Sequence, residues 1–325
     1  MIVTIEDFRK EDTDAVACLW NRVMTKDGYK EMTPENFARI FPGSPSFSPR
    51  LAPVLRENGK ISGFACGCAG DGLPLGDESG YLTCVVLDDE ARTDENFAAL
   101  LSRMERGFRG LGKKRSEVLF FNPIHLAWYI PGAPGHEHNN APGAPVGSFF
   151  YKSLLKNGYL ERARECAMYL NLDRFTFPEE IERKEKAAER AGYTVSLLDP
   201  NVHTGLREML ESLNNPLWTS EILQCAETGS PVLVAAHGRE AVGFAGPVVR
   251  QENGRGYFSG IGVSPRHEGH GLGTVLFFRL CREFRAIGTD YMSLYTGLEN
   301  PAKRIYEKAG FVPVKEFAVM RKELN

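Results

Sequence analysis

The stretch Gly260-Ile-Gly-Val-Ser-Pro-Arg-His-Glu-Gly-His-Gly-Leu-Gly-Thr-Val-Leu-Phe-Phe-Arg-Leu280 decides how this chain is read. Its spacing predicts a strand ending at Val263, a turn opened by Pro265, a loop carrying Gly269, Gly271 and Gly273, and an apolar-periodic helix from about Thr274. Glycines at alternate positions remove the Cβ atoms that would keep a ligand off the backbone. They also leave consecutive amides at a helix N-terminus, where the partial positive charge favours a phosphate. Strand, glycine loop and helix therefore predict a pyrophosphate cradle. Two common cradles are excluded. A P-loop needs Lys followed by Ser or Thr after its last glycine, where this chain has Thr274 and Val275; a dinucleotide fingerprint spaces its glycines differently and has no Val-x-Pro lead-in.

Downstream lies Tyr295-Thr-Gly-Leu-Glu-Asn-Pro-Ala-Lys-Arg-Ile-Tyr-Glu-Lys-Ala-Gly-Phe311. Asn300 suits an N-cap and Pro301 the first helical position. Ala302, Ile305, Tyr306 and Ala309 recur at helical spacing, and Gly310 suits the position after the helix. The two stretches together resemble the GNAT superfamily of N-acetyltransferases. The first signature, Val-x-Pro-x-x-Arg/Gln-x-x-Gly-x-Gly/Ala, is present as Val263, Pro265, Glu268, Gly271 and Gly273, with Glu268 where Arg or Gln is expected. The second, Asn-x-x-Ala/Ser-x-x-x-Tyr-x-x-x-Gly-Phe, is matched except that Ala302 stands one place nearer Asn300.

This resemblance implies direct transfer of the acetyl group of acetyl-coenzyme A to an amine, without a covalent enzyme intermediate. It implies that Ile261, Gly262 and Val263 pair with the pantetheine arm. The amides of Glu268, Gly269, His270, Gly271, Leu272, Gly273 and Thr274 would hold the pyrophosphate, with the Glu268 carboxylate turned to solvent. Asn300 would bond the pantetheine, and Tyr306 would donate a proton to the departing thiolate. An ammonium acceptor needs a base. The candidates are Glu221, Glu299 beside the tyrosine helix, and His267 or His270 in the loop.

The chain has 325 residues, enough for two domains. A net charge of -3 gives no general attraction to nucleic acid, and no apolar run is long enough to span a membrane. The N-terminus lacks the basic start and apolar core of a signal peptide, so a cytoplasmic location is expected. Seven scattered cysteines suit reduced thiols, with Cys66 and Cys68 on one face of a strand as buried small hydrophobes. The expected partner is a small-molecule or peptide amine, bound by a monomer or homodimer.

An internal repeat sets the architecture. Pro231 to Gly246, with a hairpin turn at His237-Gly238, matches Ala52 to Gly67, whose turn is Asn58-Gly59. Gly256 to Val263 matches Gly80 to Leu87, and Tyr306 to Phe311 matches Leu154 to Tyr159. The expected fold is α/β of the α+β kind: two tandem GNAT-like domains, each a mixed, mostly antiparallel twisted sheet flanked by helices. Residues 1–178 are expected to form a degenerate copy, 179–192 a charged, solvated helical linker, and 193–325 the catalytic copy. After Leu87 the first copy has no glycine loop but Asp88, Asp89, Glu90 and Asp94, and Leu154 replaces the tyrosine. Chemistry is therefore expected in the second copy only.

The first copy also carries a Pro/Gly-rich insertion over 129–148, expected to be irregular and to wall the acceptor site of the second copy. Its His136, Glu137 and His138 lack the further ligands at set spacing that a metal site needs. Competing readings are a coenzyme A-binding module without turnover, and a transferase using a longer acyl or an aminoacyl donor.

Overall fold

The computed structural model describes residues 2–324. The chain forms two compact units, Met1–Ala167 with Val314–Asn325, and Met168–Pro313. The first copy contributes β1 (Val3–Asp7), α1 (Thr13–Val23), α2 (Pro34–Ile40), β2 (Pro53–Glu57), β3 (Lys60–Cys68), β4 (Ser79–Leu87), α3 (Asp94–Gly110) and β5 (Arg115–Val118). Short strands β6 (Trp128–Tyr129), β7 (Glu137–His138) and β8 (Ala144–Pro145) follow, then α4 (Phe149–Lys156) and β9 (Leu160–Asn171). After α5 (Glu179–Arg190) the order recurs as β10 (Tyr193–Leu197), α6 (Leu206–Ser212), α7 (Pro216–Thr228), β11 (Leu233–His237) and β12 (Glu240–Gly246). The copy closes with β13 (Val249–Arg250), β14 (Arg255–Tyr257), β15 (Gly260–Val263), α8 (Leu272–Ala286), β16 (Tyr291–Gly297), α9 (Lys303–Lys308) and β17 (Val312–Glu323).

In the first unit β1, β2, β3 and β4 pair antiparallel, and β4 pairs parallel with β5. Asn58 (φ 50) and Gly59 (φ 83) both sit in the left-handed region, as a two-residue hairpin turn between β2 and β3 requires. Helix α3 buries Phe97, Leu100, Leu101, Met104 and Phe108, the stripe its apolar spacing predicts, and its core takes in Leu55, Ala65, Leu82 and Val85 from the sheet. In the second unit β10, β11, β12 and β15 form an antiparallel sheet. Its strand β11 is buried from Leu233 to Ala236, an apolar run that packs on both faces. Helix α8 buries Leu272, Val275, Leu276, Phe277, Leu280 and Phe284.

Packing draws the units differently from the repeat. Residues of β17 pair with β5 (Met320↔Val118, Lys322↔Ser116) and with β8 (Phe317↔Pro145), and Ala318, Met320 and Leu324 lie in the first unit's core. The Lys315 ammonium stands 5.3–5.6 Å from the rings of Trp128, Phe317 and Tyr29 and donates to the Asp27 carbonyl at 2.8 Å. Residues 168–171 belong to the second unit, where the Leu172 amide donates to the Asp290 carbonyl at 3.0 Å. A strand follows its hydrogen-bond ladder, which sequence similarity between copies does not reveal.

Two further expectations change. Helix α5 is no solvated linker: Ile181 and Ala188 are buried, and Glu185 pairs with Arg279 of α8. The insertion is partly regular and built into the first unit. There β6 pairs with β7, Trp128 is fully buried with its ring parallel to that of His138, and Glu137 bridges Lys30 at 2.6 Å. Among the described residues no group of three or more His, Cys, Asp or Glu is placed to hold a metal ion, and no helix is long and apolar enough to cross a membrane. Among the described residues the seven cysteines form no disulfide, Cys66 lying opposite Cys84 on the neighbouring strand.

Candidate active site

The site begins where two parallel strands part. Arg255 and Gly256 of β14 lie beside Tyr291 and Met292 of β16, and the pairing goes no further. Arg255, 5 % exposed, fastens this fork by donating from Nε to the Ser293 hydroxyl and from Nη2 to the Ser293 carbonyl, both at 2.7 Å. Burial lowers the pKa of its guanidinium, but the group stays charged at neutral pH. Beyond the fork β15 pairs, among the described residues, only with β12 and ends its sheet. The Ser264 amide donates to Val242 at 2.7 Å, so alternation turns Gly262 toward β12 and directs the N–H and C=O of Ile261 and Val263 to the open side. Across the gap, the Thr296 hydroxyl of β16 is buried with no partner among the described residues.

The open edge runs into the glycine loop. After a short 3₁₀ turn over Pro265–His267, Gly269 (φ 83) and Gly271 (φ 72) take left-handed conformations that other residues adopt only with strain. Gly271 is the N-cap of α8, which therefore begins at Leu272, two residues earlier than its periodicity suggests. This cap has no side chain to engage the first amides, and the first turn carries no acid. Among the described residues the amides from Glu268 to Thr274 meet no protein acceptor. The Glu268 side chain is exposed, as is His270. His267 accepts or donates a 3.1 Å bond with the Tyr193 hydroxyl, and the rings of His237 and His270 each lie 4.8 Å from the Tyr193 ring.

One wall of the fork is the α6–α7 pair. Asn215 caps α7, its side chain accepting from the Trp218 amide at 3.2 Å. The Trp218 indole packs against Gly260, where a Cβ would come within 2.4 Å of it, and donates to the Ser259 carbonyl at 3.1 Å. One turn on, the Glu221 carboxylate accepts from the Tyr257 hydroxyl at 2.8 Å, and burial together with that carboxylate pushes the Tyr257 pKa well up.

On the other side α9 starts at Lys303 with Ala302 as its N-cap, not Asn300. The Asn300 side chain accepts from the Ala302 amide at 3.0 Å, a tight turn that takes up the first turn expected of the helix. Tyr306 is 7 % exposed, its ring 4.7 Å from Phe277. Burial raises its pKa, and among the described residues its hydroxyl has no partner. Glu299 is exposed in the turn before α9.

Free strand edge, unsatisfied loop amides and a buried, unpartnered tyrosine fit an extended amide-bearing thioester ending in a pyrophosphate. Residues 200–311 match the acetyltransferase (GNAT) family model. The chain carries a GNAT acetyltransferase domain. That domain makes it an acyltransferase, and GNAT domains generally use an acyl-coenzyme A. A sequence search of curated proteins finds no match.

Among solved structures it resembles the glucosamine N-acetyltransferase region of a fungal multi-domain GH3 β-N-acetylglucosaminidase, with TM-score 0.67 and 15 % identity over 99 % of this chain. This chain spans only 38 % of that protein. A GCN5-related N-acetyltransferase from Sphaerobacter thermophilus gives 0.62 at 15 % identity, covering 99 % of this chain and 96 % of that one. A tandem GNAT protein from the clavulanic acid biosynthesis pathway gives 0.58 at 14 % identity, covering 100 % and 99 %. These likenesses show the fold: two tandem GNAT-like domains.

Sequence reasoning did not single out Arg255, Trp218 or Tyr257. Trp218 carries the one signal it could have used, standing three residues before Glu221 on a helix with a clear Asn-Pro start.

Proposed function

We propose that this chain transfers the acetyl group of acetyl-coenzyme A to a primary amine of a small molecule or peptide, with the chemistry in the second unit. The observation that carries the reading is the fork, whose unpaired edge at Ile261–Val263 leads straight into an uncapped, acid-free helix N-terminus. The donor supplies an activated thioester. Its amide-bearing arm adds to β15 as a strand would, and the loop amides hold its pyrophosphate.

Of the candidate bases, Glu221 is the one whose carboxylate reaches the fork, held by Tyr257; it takes one proton from the bound ammonium. The freed nitrogen attacks the thioester carbonyl, a C–N bond forms and the C–S bond breaks. Tyr306 gives its proton to the sulfur and recovers one from the nitrogen, so the net change is one proton released from the ammonium. Its raised pKa keeps Tyr306 protonated until the thiolate leaves. Glu299, exposed and outside the fork, would act only through water.

Thiol release measured with acetyl-coenzyme A and a panel of primary amines tests the proposal. Release with at least one amine is expected. Tight donor binding without release for any amine would make the chain a binding module, and no donor binding would defeat the site assignment.

A further inference from the structure

The glycine loop bears an acid, Glu268, where its relatives' signature has Arg or Gln, so the charge that meets a pyrophosphate must come from elsewhere. Four cationic or titratable groups surround the loop besides Glu268: Arg266, His267 and His270 within it, and Lys184 from α5. Lys184 is the one set against the anion-binding turn itself. Its Cδ lies 3.9 Å from the point where a Cβ on Gly271 would stand, and Gly271 caps the helix whose first amides have no acceptor.

Helix α5 is fixed there by buried Ile181 and Ala188 and by the Glu185–Arg279 pair. The ammonium itself is loosely held. Its partner Glu180 lies 3.5 Å away and is already bound by Lys308 at 2.5 Å. The side chain is 41 % exposed, so its end can turn toward the loop without losing a buried contact.

We propose that Lys184 binds the pyrophosphate of coenzyme A, α5 supplying the cation that the signature position at Glu268 lacks; this rests on the acyl-coenzyme A reading of the site. A lysine acts on phosphate as a point charge and complements amides that carry no net charge of their own.

The test is calorimetric binding of coenzyme A, dephospho-coenzyme A and pantetheine to the full chain and to Lys184→Met and Lys184→Arg. Lys184→Met should weaken both coenzyme A and dephospho-coenzyme A about tenfold, leave pantetheine unchanged, and unfold at the wild-type temperature; Lys184→Arg should restore most of the loss. Equal affinity of Lys184→Met and wild type for coenzyme A would overturn the assignment, and a loss confined to coenzyme A would move the contact to the 3′-phosphate and overturn it as stated. If the wild type itself binds none of the three, the donor reading fails rather than the role of Lys184.

Discussion

In the first unit the edge of β4 beyond Tyr81 meets the chain's own Asn122; in the second the matching edge of β15 faces an open fork. Both copies begin the same way, with a strand paired in parallel over its first residues, Ser79–Tyr81 against β5 and Arg255–Gly256 against β16. The first copy then fills the gap. Asn122 exchanges bonds of 3.0 and 3.2 Å with the Thr83 hydroxyl and accepts from the Ile124 amide at 3.0 Å. Two cavities of about 20 Å³ each remain along Leu82–Leu87, room for a single water apiece and none for a pantetheine arm.

The helix starts differ in the same sense. Thr93 caps α3, accepting from the Asn96 amide at 3.1 Å, and Asp94 and Glu95 sit in its first turn. Asp88 and Asp89 are tied to Arg22 and Lys26 at 2.8 and 2.5 Å. An anion would meet a side-chain cap and like charge at α3, but an uncapped, acid-free helix start at α8. On the proposed reading one fold serves as scaffold in one copy and as a site in the other, according to what occupies a strand edge and a helix cap.

The largest expected effect tests whether the copies can be separated. Removing residues 314–325 takes Phe317, Ala318, Met320 and Leu324 out of the first unit and leaves the edge of β5 bare. Losing buried side chains costs about 2–5 kcal/mol for each large one, enough to exceed the stability of a domain of this size. The truncated chain should lose cooperative unfolding of the first unit, visible as unprotected amides in β3 and β4 by hydrogen exchange. Retained protection there would mean that the first copy folds without the borrowed strand.

Next comes the position where the copies carry Tyr306 and Leu154. Tyr306→Phe should lower kcat by about a hundredfold or more, the usual range for a lost general acid, with acetyl-coenzyme A affinity kept. Because burial raises the pKa of Tyr306, the wild-type rate should fall on the alkaline side only above the ordinary tyrosine range. A Tyr306→Phe enzyme as fast as wild type from neutral to strongly alkaline pH would end the acid assignment. Leu154→Phe in the first copy should leave the rate untouched and register only in stability.

How much of this was legible beforehand depends on the range of the interaction. Turns and caps are local, so Asn58-Gly59, the glycine loop and the strand Gly260–Val263 follow from neighbouring residues. The repeat made the tandem fold visible for the same reason. What was hidden is non-local: that β17 completes the first unit, that Ile181 and Ala188 bind α5 to its domain, and that Tyr257 bonds Glu221 across 36 residues. A charge-rich helix with two apolar positions looks solvated until its partner helix is known, and a lone Glu looks like surface until a half-buried hydroxyl points at it.

A smaller change would make the second copy's helix start like the first's. Thr274→Asp places in the first turn of α8 the acid that α3 carries as Asp94 and Glu95. A like charge beside a bound pyrophosphate costs on the order of 1 kcal/mol near a wet surface, so coenzyme A should bind about five- to tenfold more weakly while pantetheine binds as before. Unchanged coenzyme A affinity would place the phosphates away from α8.

Glu268→Gln should give the smallest effect, and its sign is the informative part. The carboxylate is exposed, so salt screens it and its repulsion is worth only a few tenths of a kcal/mol. Coenzyme A should bind about twofold tighter to Glu268→Gln at low ionic strength, and the gain should vanish in about 0.5 M salt, where the screening length falls to a few ångströms. Pantetheine should not distinguish the two proteins. Were Glu268→Gln instead to weaken binding at both salt concentrations, the carboxylate would be holding the loop in its binding shape, and the departure from the signature would be a working part of the second copy rather than a tolerated charge.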